Sequence, residues 1–209
     1  MLTLPHRALG PRRARGGFTL VELMVTISIL AILMMIGVPS MAEWIRNNQV
    51  RAVASTLQNG LRTAQTEALR RSRQVVFVLT DSKPAASSDP VSAKANGKYW
   101  ATYTVPLNGS SESKELLDTG VVSDVGEGVT LTGPSAVCFN TLGRVMANTS
   151  PASISGATCA FPSSGATHSF DVERTGAKRR LRVLLSVGGQ VRMCDRDRNV
   201  DTYPDGCPA

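Results

Sequence analysis

The residues best placed to do chemistry stand near the front of the chain: Gly17 and Phe18, then Glu22 four positions later, heading an otherwise uncharged apolar run that ends at Val38. A carboxylate inside such a run costs about 2.5 to 3.5 kcal/mol at the centre of a bilayer, so it calls for a partner. Cutting the Gly17–Phe18 bond would supply one, a new α-amino group four residues before Glu22. A unit charge pair at ~4 Å and an effective dielectric of ~20 is worth ~4 kcal/mol before desolvation, enough to offset the burial. That amine belongs either to the same chain or to a neighbour. Only the neighbour's drives assembly.

Four cysteines, Cys138, Cys159, Cys194 and Cys207, follow far downstream. Arg7, Arg12, Arg13 and Arg15 precede the apolar run with no acidic residue among them, so the positive-inside bias keeps the first residues cytoplasmic and sends the cysteines outward, where thiols oxidise. Four cysteines allow three pairings. Cys138 with Cys159 and Cys194 with Cys207 is favoured, because each pair brackets a Gly/Ser/Pro-rich or Asp-rich loop. Each bridge would contribute about 3 kcal/mol by restricting the unfolded chain. A zinc site fits poorly: there is no C-x-x-C pair and no histidine nearby.

Arg174, Lys178, Arg179, Arg180, Arg182 and Arg192 concentrate positive charge on a stretch that reads as a hairpin. Non-specific DNA is one partner such a strip would take, weakly and with strong salt dependence, through Arg180, Arg182 and Arg192. The plainer reading is a solvated strand face flanked by Asp171 and Glu173. Asp195, Asp197, Asn199 and Asp201 alternate like the oxygen ligands of a calcium loop, but Arg196 and Arg198 interleave. With no glycine at the sixth position and no glutamate at the twelfth, an EF-hand is excluded. A charged surface loop pinned between Cys194 and Cys207 is the expectation, with no metal and no cofactor. His168 alone stands outside the leader, no G-x-S-x-G occurs and no phosphate-binding glycine loop is present, so no enzymatic activity is expected.

These groups must be positioned by a few elements. Phe18 to Val38 is 21 residues, about 31 Å of helix against a hydrocarbon core of roughly 30 Å. The small-x-small triplet Ser40-Met41-Ala42 would suit signal-peptide cleavage, but the apolar region is too long and carries a carboxylate near its start. Past Pro39, Val50, Val53, Leu57, Leu61, Ala64 and Ala68 recur at steps of three and four, while Asn47, Arg51, Ser55, Gln58, Arg62 and Gln65 fall opposite. An amphipathic helix follows, its stripe packed on a head domain. Gly37 and Pro39 predict a kink or a melted turn between the two halves. Strands are expected at 75–79, 99–105, 129–131, 136–140, 168–172, 180–187 and 190–194, the last two joined by Gly188-Gly189 as a two-residue turn. Polar stretches at 80–98, 107–114 and 147–157 read as loops. The expected architecture is α+β: a leader 1–17, a long helix 18–74 (18–38 membrane-spanning, 40–74 amphipathic) and a mostly antiparallel β-sandwich head 75–209. Removing the leader would lower the formal charge from +7 to +3, since four arginines leave with it.

A short basic leader ending in glycine, Phe18 at the first mature position and Glu22 at the fifth resemble the type IV prepilins and type II secretion pseudopilins. The resemblance implies that a membrane-embedded prepilin peptidase cuts after Gly17 and methylates the amine of Phe18. It also implies that Glu22 pairs with the first-residue amine of an adjacent subunit. Leu57, Leu61-Arg62, Ala64 and Glu67-Ala68 followed by Val75-Val76-Phe77-Val78 are similar to the FimT/FimU and GspH subgroup of minor pilins. From that likeness come the expected role, a minor pilin in a type IV pilus or its tip-initiating complex, and the expected partners, other major and minor pilins. The location implied is the inner membrane, single-pass with a periplasmic head, and then the filament. Two alternatives share the anchor: a pilus-tip DNA receptor for natural transformation and a GspH-type pseudopilin. Some FimT-like proteins bind DNA through a Gly-Arg-x-Arg turn. The positions resembling it here read Gly189-Gln190-Val191-Arg192, one arginine short.

Overall fold

The computed structural model describes residues 17–107, 110–122, 128–148, 157–162 and 167–208. The leader before Gly17 lies outside them, as do parts of the expected loops at 107–114 and 147–157. Contacts divide the chain into two units, up to Met41 and from Ala42 onward.

The first unit is the apolar half of a single helix, α1 (Leu20–Arg71). Its side chains from Leu20 to Val38 are exposed on every face, so this segment has no apolar partner among the described residues. A helix hydrophobic all round belongs in lipid or among other helices. Its two hydroxyls are satisfied internally: Thr26 Oγ1 donates to the Leu23 carbonyl at 2.8 Å and Ser28 Oγ to the Met24 carbonyl at 2.7 Å. That is what a non-aqueous surrounding demands. α1 runs uninterrupted through Gly37 and Pro39, so the expected melted turn does not occur. Proline removes one backbone donor, and the helical turns on either side remain intact.

In the second unit the remainder of α1 buries Val50, Val53, Leu57, Leu61, Ala64 and Ala68 at 3.6-residue spacing, together with Ala54 and Gly60. The helix ends because Ser72 adopts φ +50°: the Arg73 amide reaches the Ala68 carbonyl at 3.2 Å and the Ser72 amide the Leu69 carbonyl at 3.3 Å, a Schellman cap with serine in the glycine position.

Among the described residues ten strands follow: β1 (Val75–Thr80), β2 (Tyr99–Thr104), β3 (Leu116–Val121), β4 (Val129–Thr132), β5 (Ala136–Phe139), β6 (Val145–Met146), β7 (Thr167–Arg174), β8 (Leu181–Ser186), β9 (Val191–Asn199) and β10 (Gly206–Cys207). They form two five-stranded sheets, ordered β3-β2-β1-β5-β6 and β10-β9-β8-β7-β4. Every pairing is antiparallel except β10 with β9. One apolar cluster joins the helix stripe to Val75, Phe77 and Leu79 of the first sheet and to Phe170, Val172, Leu181, Val183 and Leu185 of the second. A second cluster, Val76, Val78, Ala101, Tyr103 and Cys138, lies on the other face of β1 beneath Val91 of the 81–98 connection. β1 is thus buried on both faces, which is why it reads as an unbroken hydrophobic run.

Three strands have no counterpart in the expectation. β3 carries Asp118 and Gly120, residues that read as turn signals; Gly120 is there because a Cβ would come within 2.5 Å of the Trp100 indole. β6 and β10 are two-residue pairings too short to show a period. The β8–β9 hairpin is also wider than a two-residue turn. Ser186 and Gln190 close it with a 3.0 Å backbone bond, and Gly189 alone takes φ +90°.

Candidate processing and assembly site

Gly17, Phe18 and Thr19 lie outside the helix, which begins at Leu20. Thr19 is its N-cap: Thr19 Oγ1 accepts the Glu22 amide at 3.2 Å, and the Thr19 carbonyl accepts the Leu23 amide at 3.1 Å. Thr19 and Glu22 therefore hold the first and last places of a capping box, S/T-x-x-E, a local pattern that the sequence carries and that the expectations drawn from it did not use. Because the cap starts the helix at Leu20, the Gly17–Phe18 bond stays in exposed, non-helical chain. Phe18 is 82% exposed, and among the described residues nothing beyond its chain neighbours lies within 4 Å of where a Cβ on Gly17 would stand. The bond is thus exposed and non-helical, immediately ahead of the helix. Glu22 occupies the first turn, where the helix dipole favours negative charge.

The cysteines form two bridges, Cys138–Cys159 and Cys194–Cys207, with Cα separations of 5.7 and 5.0 Å. The chain between Cys194 and Cys207 differs from the expected surface loop. Its first part, through Asn199, continues β9 and carries β10 alongside. There the alternating acids face arginines. Asp195, only 5% exposed, lies 3.7 Å from Arg179 and 3.8 Å from Arg198, and both arginines also reach Asp205, at 3.5 and 2.9 Å. The four residues close a ring that ties the tail to β9. Asp197 pairs with Arg180, whose hydrogen bonds hold that carboxyl below the ordinary aspartate range. The Asn199 side chain accepts the Asp201 amide at 2.9 Å. Among the described residues no group of three or more His, Cys, Asp or Glu side chains gathers to hold a metal ion.

The basic strip is dispersed by the same logic. Arg182 lies against Asp171 through two bonds of 2.5 and 3.1 Å, and Arg196 bridges Asp171 and Glu173. Lys178 pairs with Glu43 of α1 at 2.9 Å. Of the three arginines expected to meet phosphate, Arg180 and Arg182 are engaged by carboxylates. Arg192 is exposed. His168 is buried in β7 with Nε2 3.1 Å from the Ala160 carbonyl, a structural placement.

The exposed bond, the capped turn and the apolar stem fall within residues 12–38, which match the prokaryotic N-terminal methylation motif. Residues 53–189, more than half of the chain, match the Type II transport protein GspH family. The chain belongs to the GspH family. Similar solved structures include the type IV minor pilin FimU of Pseudomonas aeruginosa, 15% identical over 68% of this chain and 90% of that one, with a TM-score of 0.43. The minor pseudopilin EpsH of the Vibrio cholerae Type 2 Secretion System is 10% identical over 70% and 97% of the two chains, with a TM-score of 0.41. The methylation motif and the GspH domain together make the chain a pilin-like protein of the GspH family. Such a subunit is anchored in a membrane by its apolar helix, is processed at its N-terminal motif and assembles with other pilins.

Proposed function

We propose that a prepilin peptidase cuts this chain between Gly17 and Phe18 and methylates the new amine. The mature subunit then waits in the inner membrane with its head in the periplasm until it enters a type IV pilus, in the filament or its tip-initiating complex. One observation carries the reading: the apolar half of α1 has no apolar partner among the described residues, and its single carboxylate, Glu22, stands in the first turn directly behind an exposed, non-helical Gly17–Phe18 bond. In a filament, packed neighbouring helices replace lipid around that surface, and an adjacent Phe18 amine answers Glu22. The charge pair fixes the stagger of one stem against the next, because only one axial offset brings ammonium and carboxylate together.

Glu22→Gln tests this in cells carrying the pilus machinery. The variant keeps its length and apolar face, so it is expected to be processed normally yet missing from the sheared filament fraction. Incorporation of the variant at the wild-type level would refute the proposed pairing. The DNA-receptor reading is not advanced, because Arg180 and Arg182 already have carboxylate partners. A pseudopilin role would use the same anchor and the same pairing, and it differs only in the filament that is joined.

A further inference from the structure

The end of the head nearest the span in sequence carries a surface that the assembly chemistry does not use. The β7–β8 turn folds onto α1 at four points. Glu43 meets Lys178 Nζ at 2.9 Å, Arg46 Nη1 donates to the Gly176 carbonyl at 3.5 Å, and Asn47 Oδ1 accepts the amides of Lys178 at 3.0 Å and Arg179 at 3.2 Å. Gly176 takes φ +78°, and a Cβ there would fall 2.6 Å from the Arg46 guanidinium, so the turn is shaped to sit on that arginine. Beside it Trp44 is 64% exposed, with Ile45 also exposed.

We propose that Trp44, Ile45, Arg46 and Lys178 form a collar that docks on the anionic phospholipid headgroups of the membrane holding the span. This rests on the membrane anchoring proposed above. Chain connectivity supplies the location: Trp44 stands six positions after Val38, about 9 Å as helix and no more than roughly 21 Å even if fully extended. The headgroup layer beyond the hydrocarbon is roughly 5 to 8 Å deep on each side. Whatever angle the head takes, Trp44 cannot leave the neighbourhood of the interface. Charge supplies the lipid class. The carboxylates Asp195 and Asp205 at this end are held by Arg179 and Arg198, and Lys178 shares Glu43 while its side chain remains 76% exposed. Arg46 donates to a carbonyl rather than to a carboxylate. An exposed indole matches the aromatic belt found at both membrane interfaces, and the cations beside it attract anionic headgroups. The collar would hold the waiting subunit at one depth and tilt, and extraction into a filament would have to break it.

The test uses the full chain in lipid nanodiscs of phosphatidylcholine alone or mixed with phosphatidylglycerol. Acrylamide quenching reads Trp44, with Trp44→Phe giving the baseline of the buried Trp100. Anionic lipid is expected to lower the Trp44 quenching constant by about twofold or more, about 0.5 M salt to reverse this, and R46Q/K178Q to abolish the lipid dependence. Equal quenching in both lipids, with the chain retained in the disc, overturns the collar but leaves anchoring intact. Shielding that appears only at several chains per disc overturns it too, since a second copy then covers Trp44. Loss of the chain from the disc overturns the anchoring reading itself.

Discussion

Glu22 sits in a first turn, where the helix dipole returns typically 0.3 to 1 kcal/mol to a carboxylate. Burial in lipid costs about 2.5 to 3.5 kcal/mol, so the helix end alone leaves most of the charge uncompensated and an ammonium is still needed. Thr19 acts on the same turn. Thr19→Val deletes the acceptor of the Glu22 amide and is expected to cost about 1 kcal/mol, read as roughly fivefold faster hydrogen exchange at that amide. Thr19→Ser should leave exchange unchanged, and equal rates in both variants would deny the cap. His168 carries a pH dependence. Burial holds its pKa below the ordinary 6.5, opposed only by the Ala160 carbonyl. The unfolded chain therefore takes the proton more readily. The stability His168 contributes is complete above about pH 6.5 and is lost as pH falls through its lowered folded value. Urea midpoints measured from pH 7.5 down to 5 should fall in the wild type, and His168→Gln should flatten that part of the slope.

At the scale of elements, two substitutions probe how the helix and sheets are closed. Ser72 holds a left-handed conformation at the helix end, so Ser72→Gly should raise unfolding stability by about 0.5 to 1 kcal/mol in urea titration, a gain from relieved φ strain less the added chain entropy. Gly120→Ala should lower it by about 1 to 3 kcal/mol, because its methyl group enters the space of the Trp100 ring. The buried stripe from Val50 to Ala68 and the doubly buried β1 were legible because period 3.6 and unbroken hydrophobicity are local signals. β3 was not: its Asp118 and Gly120 answer to neighbours on β2, distant in sequence. β6 and β10 exist only as partners of longer strands, and the tail's conversion from loop to β9 depends on arginines that no spacing rule connects. The pairing Arg180–Asp197 joins residues seventeen apart, so the basic run read alone left a phosphate strip open beside the plainer reading of a solvated strand face.

For the whole molecule, the head is closed by long-range ties and the stem is left open. The Cys194–Cys207 bridge spans 13 residues and, with the Arg179–Asp195–Arg198–Asp205 ring, pins the tail to β9. Replacing both cysteines by serine should lower head stability by about 3 kcal/mol, seen as a shifted denaturant midpoint with an altered slope if the unfolded state expands. The stem, by contrast, is apolar on every face and satisfied only by lipid or by other stems. The most direct measurement is intact mass and N-terminal fragmentation of the chain recovered from cells with and without prepilin peptidase. With the enzyme, the mature chain is expected to begin at Phe18 bearing one added methyl group; without it, the leader should remain and the terminus stay unmodified. A mature chain beginning anywhere else, or a Phe18 terminus formed equally without the enzyme, would contradict the account.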